Sequence, residues 1–189
     1  MITKELAANR KAVTTKTLAL TTALVTAVAL PQVLHLVGAF SGLGTGLGQT
    51  FLPMYLPILL VGLLAGVWPA VLAGALAPLI SFALSGMPTS TMLPIISSEL
   101  LMIGLAAGLL RSVQLPVIAK VLLVQLAGKA AYALAVLASV YILDGAAITL
   151  GIVLESMRVG LPGFILQWVL VPLIIFRVAN RKASEGPSE

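Results

Sequence analysis

The chain has 189 residues, of which 60% are hydrophobic and only 9% charged, with a formal net charge of +5. Soluble domains carry roughly 25% charged residues, so this composition excludes a water-soluble fold and predicts a surface that faces lipid. Cysteine is absent and histidine occurs once, at His35, which excludes disulfides, thiolate metal sites and multi-histidine clusters.

At about 20 residues per membrane span, the length predicts roughly six helices in one all-α bundle, residues 1–182, followed by a polar, disordered tail at 183–189. A transmembrane barrel is excluded because the apolar runs do not alternate with polar residues as barrel strands do. The predicted spans are 17–40, 51–66, 68–86, 92–110, 116–143 and 159–179. Basic residues followed by apolar sequence and Ala27-Val28-Ala29 resemble a secretory leader. The apolar run continues past the alanines to Val37, so the segment reads as a span. Pro31 lies inside it and is a potential kink. The second span opens on Pro53 and Pro57, and only Gly66-Val67-Trp68 separates it from the third. Trp68 and Trp168 are candidates for the interfacial aromatic belt, although Trp168 falls near the middle of the sixth span and so is also placed to face the interior.

Lys4, Arg10, Lys11 and Lys16 precede the first span, Arg111 and Lys120 flank the link between the fourth and fifth, and Arg177, Arg181 and Lys182 follow the sixth. With six spans all nine fall on one side, against Arg158 alone on the other. Basic residues accumulate in cytoplasmic loops, so both termini are expected in the cytoplasm and the protein in the cell membrane. Placement at span ends explains the positive charge better than nucleic-acid binding does.

The segment 41–50 alternates glycine with other residues. A phosphate-binding loop needs a strand before it and a helix after it, whereas here a membrane span lies on each side. It reads either as a flexible external linker or as a mobile lid over an outward-facing pocket. Ala19, Ala23 and Ala27 recur four apart on one face of the first helix, as do Gly62 with Gly66 and Gly104 with Gly108 on later ones. Small residues at this spacing let helices approach closely; the glycines read as intrachain packing, and so do the alanines on spacing alone.

Two charges fall well inside spans, Glu99 and Lys129. Buried charge is costly without a partner or a function. The two can form a structural ion pair or contact a polar solute. His35, Gln49, Tyr55, Tyr132 and Gln167 add polar groups within or beside spans, and a few polar groups in an apolar pocket make a small-molecule site. No Ser–His–Asp arrangement is visible, so the chain does not read as an enzyme, and nothing in it calls for a cofactor.

The stretch from Gln49 through Pro53-Met54 to Pro57, then Gly62 and Gly66, Pro78, Ser85-Gly-Met-Pro88, Glu99-Leu100 and Gly104 resembles the substrate-binding S component of energy-coupling factor (ECF) transporters. Pro31 and His35 fit one branch of that family, and Tyr55 departs from it, standing where histidine is expected. The resemblance implies a six-helix protein that captures a vitamin or related micronutrient from outside. It implies partners: a transmembrane coupling protein and two ABC-type ATPases. It assigns Ala19, Ala23 and Ala27 to the coupling protein, residues 41–50 to a gate, and Glu99, Lys129, Tyr132 and Gln167 to the solute. Two rival readings stand beside it: a proton-coupled secondary transporter using Glu99, and a non-transporting membrane scaffold. The solute stays open among thiamine precursors, pantothenate, pyridoxine-like rings and modified bases.

Overall fold

A helix ends where the backbone leaves the α region, and in this chain glycine and proline mark those points. Gly66 adopts φ 102° and separates two helices without any intervening loop, while its N–H still bonds the Gly62 and Val61 carbonyls at 3.0 and 3.2 Å. Gly86, at φ 68°, ends the next helix in the left-handed conformation that costs glycine nothing. In this computed structural model the described residues are 2–42, 44, 46–142, 149 and 151–184, less the side chains of 2–9, 11, 12, 182 and 183. The charges read at Lys4, Lys11 and Lys182 therefore lie outside the description.

The elements are α1 (Ile2–Ser41), α2 (Gly46–Phe51), α3 (Tyr55–Ala65), α4 (Val67–Ser85), α5 (Leu93–Leu110), α6 (Val117–Tyr141) and α7 (Gly151–Ser184). The fold is all-α. Six stretches are long and apolar enough to cross a membrane: Val13–Ser41, Gly46–Ala65, Val67–Ser85, Leu93–Leu110, Val117–Tyr141 and Gly151–Arg181. The chain is a multi-pass membrane protein, and its outer face carries exposed Leu18, Phe40, Leu84, Leu126, Leu134, Val169 and Phe176.

Three expectations are corrected. Residues 41–50 are not loop throughout, because the glycine-rich sequence turns helical at Gly46. Glycine is a poor helix former, but here it permits packing: a Cβ at Gly160 would lie 3.0 Å from the Leu52 side chain, and one at Gly163 would lie 2.7 Å from the Thr50 carbonyl. α2 is thus seated on α7, and tertiary contact outweighs propensity. α2 and α3 share one span, broken at Leu52, whose φ is 48°, and at Pro53, which has no N–H to give. The last helix begins at Gly151 rather than 159, so Glu155 and Arg158 stand on helix rather than in a loop, and it extends through Ser184 into the segment read as tail.

The bundle interior closes on small residues. A Cβ added at Gly104 would collide with the Ala70 carbonyl, one at Gly74 with that of Leu100, and one at Gly62 with the Ala107 methyl. Helices α3, α4 and α5 therefore meet at backbone distance, as membrane helices do when small residues face each other. Gly62, Gly104 and Gly108 act as the intrachain packing positions expected of them, whereas Gly66 makes the α3–α4 junction. α1 passes through buried Pro31 without interruption and is tied to α4 by Gln32, whose Nε2 donates to Ser85 Oγ at 3.0 Å and to Ser81 Oγ at 3.3 Å. Ala23 and Ala27 join this same core, with Ala27 fully buried.

Candidate functional site

On α6, the buried residues Gln125, Lys129, Tyr132 and Val136 recur at helical spacing and form one inward face. Gly128 brings that face close to α5, since a Cβ there would lie 2.6 Å from Ile103 Cγ1 and 3.7 Å from Glu99 Cγ. Lys129 Nζ consequently reaches Glu99 Oε1 at 2.8 Å, the two side chains being 8% and 2% exposed. Three rings surround the ammonium, with centroids at 4.8 Å for Tyr132, 5.5 Å for Phe164 and 5.7 Å for Tyr55. The Tyr55 and Phe164 rings themselves meet edge to face at 6.4 Å. A carboxylate and three ring faces offset the desolvation of the cation.

This pair forms part of a cavity wall. A cavity of about 270 Å³ is lined by Glu99, Lys129, Tyr55 and Tyr132 together with Gln49 and Leu52 of the α2 side, Met92 just before α5 and Ile96 within it, and Ile152, Glu155, Ser156 and Val159 of α7. A second cavity of about 310 Å³ adjoins it and shares Gln49, Leu52, Tyr55, Met92 and Ile96. Its remaining wall includes Pro31 and His35 of α1, Ser81 of α4, Leu100 of α5 and the turn Met87-Pro88-Thr89, whose Met87–Pro88 bond is cis. The His35 ring packs on Gly48, where a Cβ would lie 3.3 Å from its Cε1. Mostly apolar walls with a few convergent polar groups, in a space of this size, are what a small organic molecule needs.

Of the seven residues expected at a binding site, His35, Gln49, Tyr55, Glu99, Lys129 and Tyr132 line these two cavities. Gln167 does not. Its Oε1 accepts from Gln125 Nε2 at 3.1 Å, and Gln125 Oε1 accepts from Trp168 Nε1 at 2.7 Å. The Gln167 carbonyl oxygen thus finds its partner on α6, a helical turn away from Lys129, whereas its buried Nε2 has none among the described residues. Trp168 faces the interior through its bond to Gln125, whereas Trp68 is 75% exposed.

Sequence reasoning missed Phe164 in the aromatic surround, Glu155 and Ser156 on the first turns of α7, and Ser81 and Thr89 beside the second cavity. Glu155 and Ser156 carried a signal that was misplaced, because their polarity reads as loop. Phe164 carried none, being an apolar residue in an apolar run.

The cavities lie at one end of the bundle, where α5 and α7 begin and α1 ends. Lys16, Arg111, Lys120, Arg177 and Arg181 stand toward the opposite helix ends. Along α1, Ala19 and Ala23 reach an apolar groove of about 540 Å³ between α1 and α3. Ala27 does not line this groove. Among the described residues no group of three or more His, Cys, Asp or Glu side chains is placed to hold a metal. No family model, curated protein or solved structure matches the chain.

Proposed function

We propose that this protein is the membrane-embedded solute-capture subunit of an ATP-driven importer of the energy-coupling factor type, taking up a vitamin or related micronutrient. The observation that carries this reading is the pair of adjoining cavities at one end of the six-span bundle. Six side chains singled out by sequence converge on their walls. The short α2 segment lies at their shared edge through Gln49 and is held by packing on α7 rather than by continuous helix, as a gate needs to be. The solute enters from outside, α2 settles over it, and partner subunits supply the energy for its release inward. The partners are a transmembrane coupling protein and two ABC-type ATPases. The coupling protein meets α1 along the groove at Ala19 and Ala23, while Ala27 supports that face from within. The basic helix ends and both termini lie in the cytoplasm, and the membrane is the cell membrane.

The test has two parts. Mass spectrometry of the purified protein should find a small polar molecule at near-stoichiometric occupancy, and uptake of that molecule by cells should require co-expressed ATPases and survive an uncoupler. Uptake without ATPases that collapses with the proton gradient would instead establish a secondary transporter with Glu99 as the coupling group. Absence of both bound molecule and uptake would leave the Glu99–Lys129 pair a structural element of a scaffold.

A further inference from the structure

At the end of the bundle opposite these cavities, we propose a site for the phosphate of an anionic phospholipid, built from Lys16 and Arg111. The two side chains come from different helices and open onto one cleft of about 280 Å³, which is floored by the α3–α4 junction at Gly66 and by Gly108 of α5. Every residue that forms the cleft sits at the end of an apolar span. Lys16 lies just inside the first, Ala65 and Val67 meet at the junction of the second and third, and Arg111 directly follows the fourth. The cleft therefore lies at headgroup depth. Trp68 on its rim, 75% exposed, stands where an indole anchors at the membrane–water boundary.

The geometry of the cleft is fixed rather than incidental. Arg111 Nη1 lies 3.3 Å from the point where a Gly66 Cβ would be, so the guanidinium rests over a residue that has no side chain to obstruct it. Lys120 Nζ donates to the Arg111 carbonyl at 3.2 Å, which holds the backbone of that residue and adds a third cation nearby. Gly108 lets Val67 approach α5 at backbone distance and closes the floor. Among the described residues, the one ion pair is Glu99 with Lys129, in the cavity wall, so neither Lys16 nor Arg111 has a carboxylate partner.

Two cations at headgroup depth, without a carboxylate partner among the described residues, select for net negative charge. A zwitterionic lipid brings its own cation to the same place, whereas a phosphatidylglycerol-type headgroup does not. Each Lys or Arg near an anionic leaflet adds roughly a fivefold preference, so two acting together give on the order of thirtyfold. This assignment rests on the span ends and the cleft and is independent of what the cavities bind.

The experiment is native mass spectrometry of delipidated protein in detergent, titrated with phosphatidylglycerol or with phosphatidylcholine of the same acyl chains. Separate arms use Arg111→Gln, Lys16→Gln and, as a control at the opposite end of the bundle, Arg158→Gln. The expected result is retention of phosphatidylglycerol about thirtyfold over phosphatidylcholine, a drop of about fivefold in each of the first two variants, and no change in the control. A further arm adds inorganic phosphate, which should fail to displace the lipid at equimolar concentration. Equal retention of the two lipids by the unmodified protein would overturn the site, as would wild-type preference in both Arg111→Gln and Lys16→Gln. Displacement by equimolar phosphate would show a free-anion site instead. Because Lys16 and Arg111 stand on different helices, failure of one variant to fold leaves the other to decide.

Discussion

Lys129 is the residue on which the cavity wall depends. Its ammonium is held by one carboxylate and three rings, so removing it strands Glu99 in an apolar interior. Breaking one side of a buried pair typically costs about 3–5 kcal/mol, whereas replacing both partners by uncharged residues of similar size is often nearly neutral. Lys129→Ala is therefore expected to lower stability by about 3–5 kcal/mol. The double variant Lys129→Met with Glu99→Gln should recover most of that loss. Thermal melts in detergent followed by circular dichroism check both. A double variant no more stable than Lys129→Ala would mean that the pair is held by something beyond mutual neutralisation. The sequence marked both charges as buried but left open whether they pair or contact a solute, because spacing along each helix does not say which way the two side chains point across the interface; the structure pairs them at 2.8 Å. The surrounding rings were not legible, since aromatic residues in an apolar run give no sign of which way they face. Gln167 was legible as buried but not as a partner of Gln125, because spacing along one helix says nothing about the register of the next.

Among elements, α2 is the one that sequence hid most completely. Alternating glycine reads as loop, and no local preference contradicts that. The reason for helix lies in α7, where Gly160 and Gly163 leave room for Leu52 and for the Thr50 and Phe51 backbone. The start of α7 was hidden too, because Glu155 and Arg158 depress local hydropathy in a helix that leaves both exposed, Glu155 at the cavity wall. The six long spans were legible to within a few residues at most ends, since run length and proline or glycine breaks are local signals. Contacts made by glycine predict different outcomes for α2 and the core. Gly163→Ala crowds α2 alone, which should raise amide hydrogen exchange at 46–52 several-fold and lower stability by about 1 kcal/mol, the low end for inserting a methyl into a packed site. Gly104→Ala drives a methyl into the α4 backbone at Ala70 and should cost about 1–3 kcal/mol without selectively freeing α2. Exchange mass spectrometry with parallel melts separates the two. If exchange at 46–52 stays unchanged in Gly163→Ala, α2 is not held by that contact.

The whole molecule is polar along the membrane normal. One end carries the cavities and Glu155, and the other carries Lys16, Arg111, Lys120, Arg177 and Arg181 without a described acid beside them. Basic loops accumulate on the cytoplasmic side, and the orientation proposed on that ground is open to direct measurement. The chain contains no cysteine, so single cysteines can be introduced without background. Ser90→Cys, in the turn before α5, is expected to react with a membrane-impermeant maleimide on intact cells. Ser112→Cys, after α5, is expected to react only once the membrane is opened. The reverse pattern would invert the topology and place the cavities on the cytoplasmic side.

The contrast between the two tryptophans has a practical consequence. Trp168 is fastened through its indole nitrogen to Gln125, a helical turn from Lys129, whereas Trp68 projects toward lipid at the other end. The chain thus carries two indole fluorophores in separate surroundings. A lipid-soluble quencher reaches Trp68 and leaves the emission of Trp168 to record changes next to the cavity wall, with no dye attached.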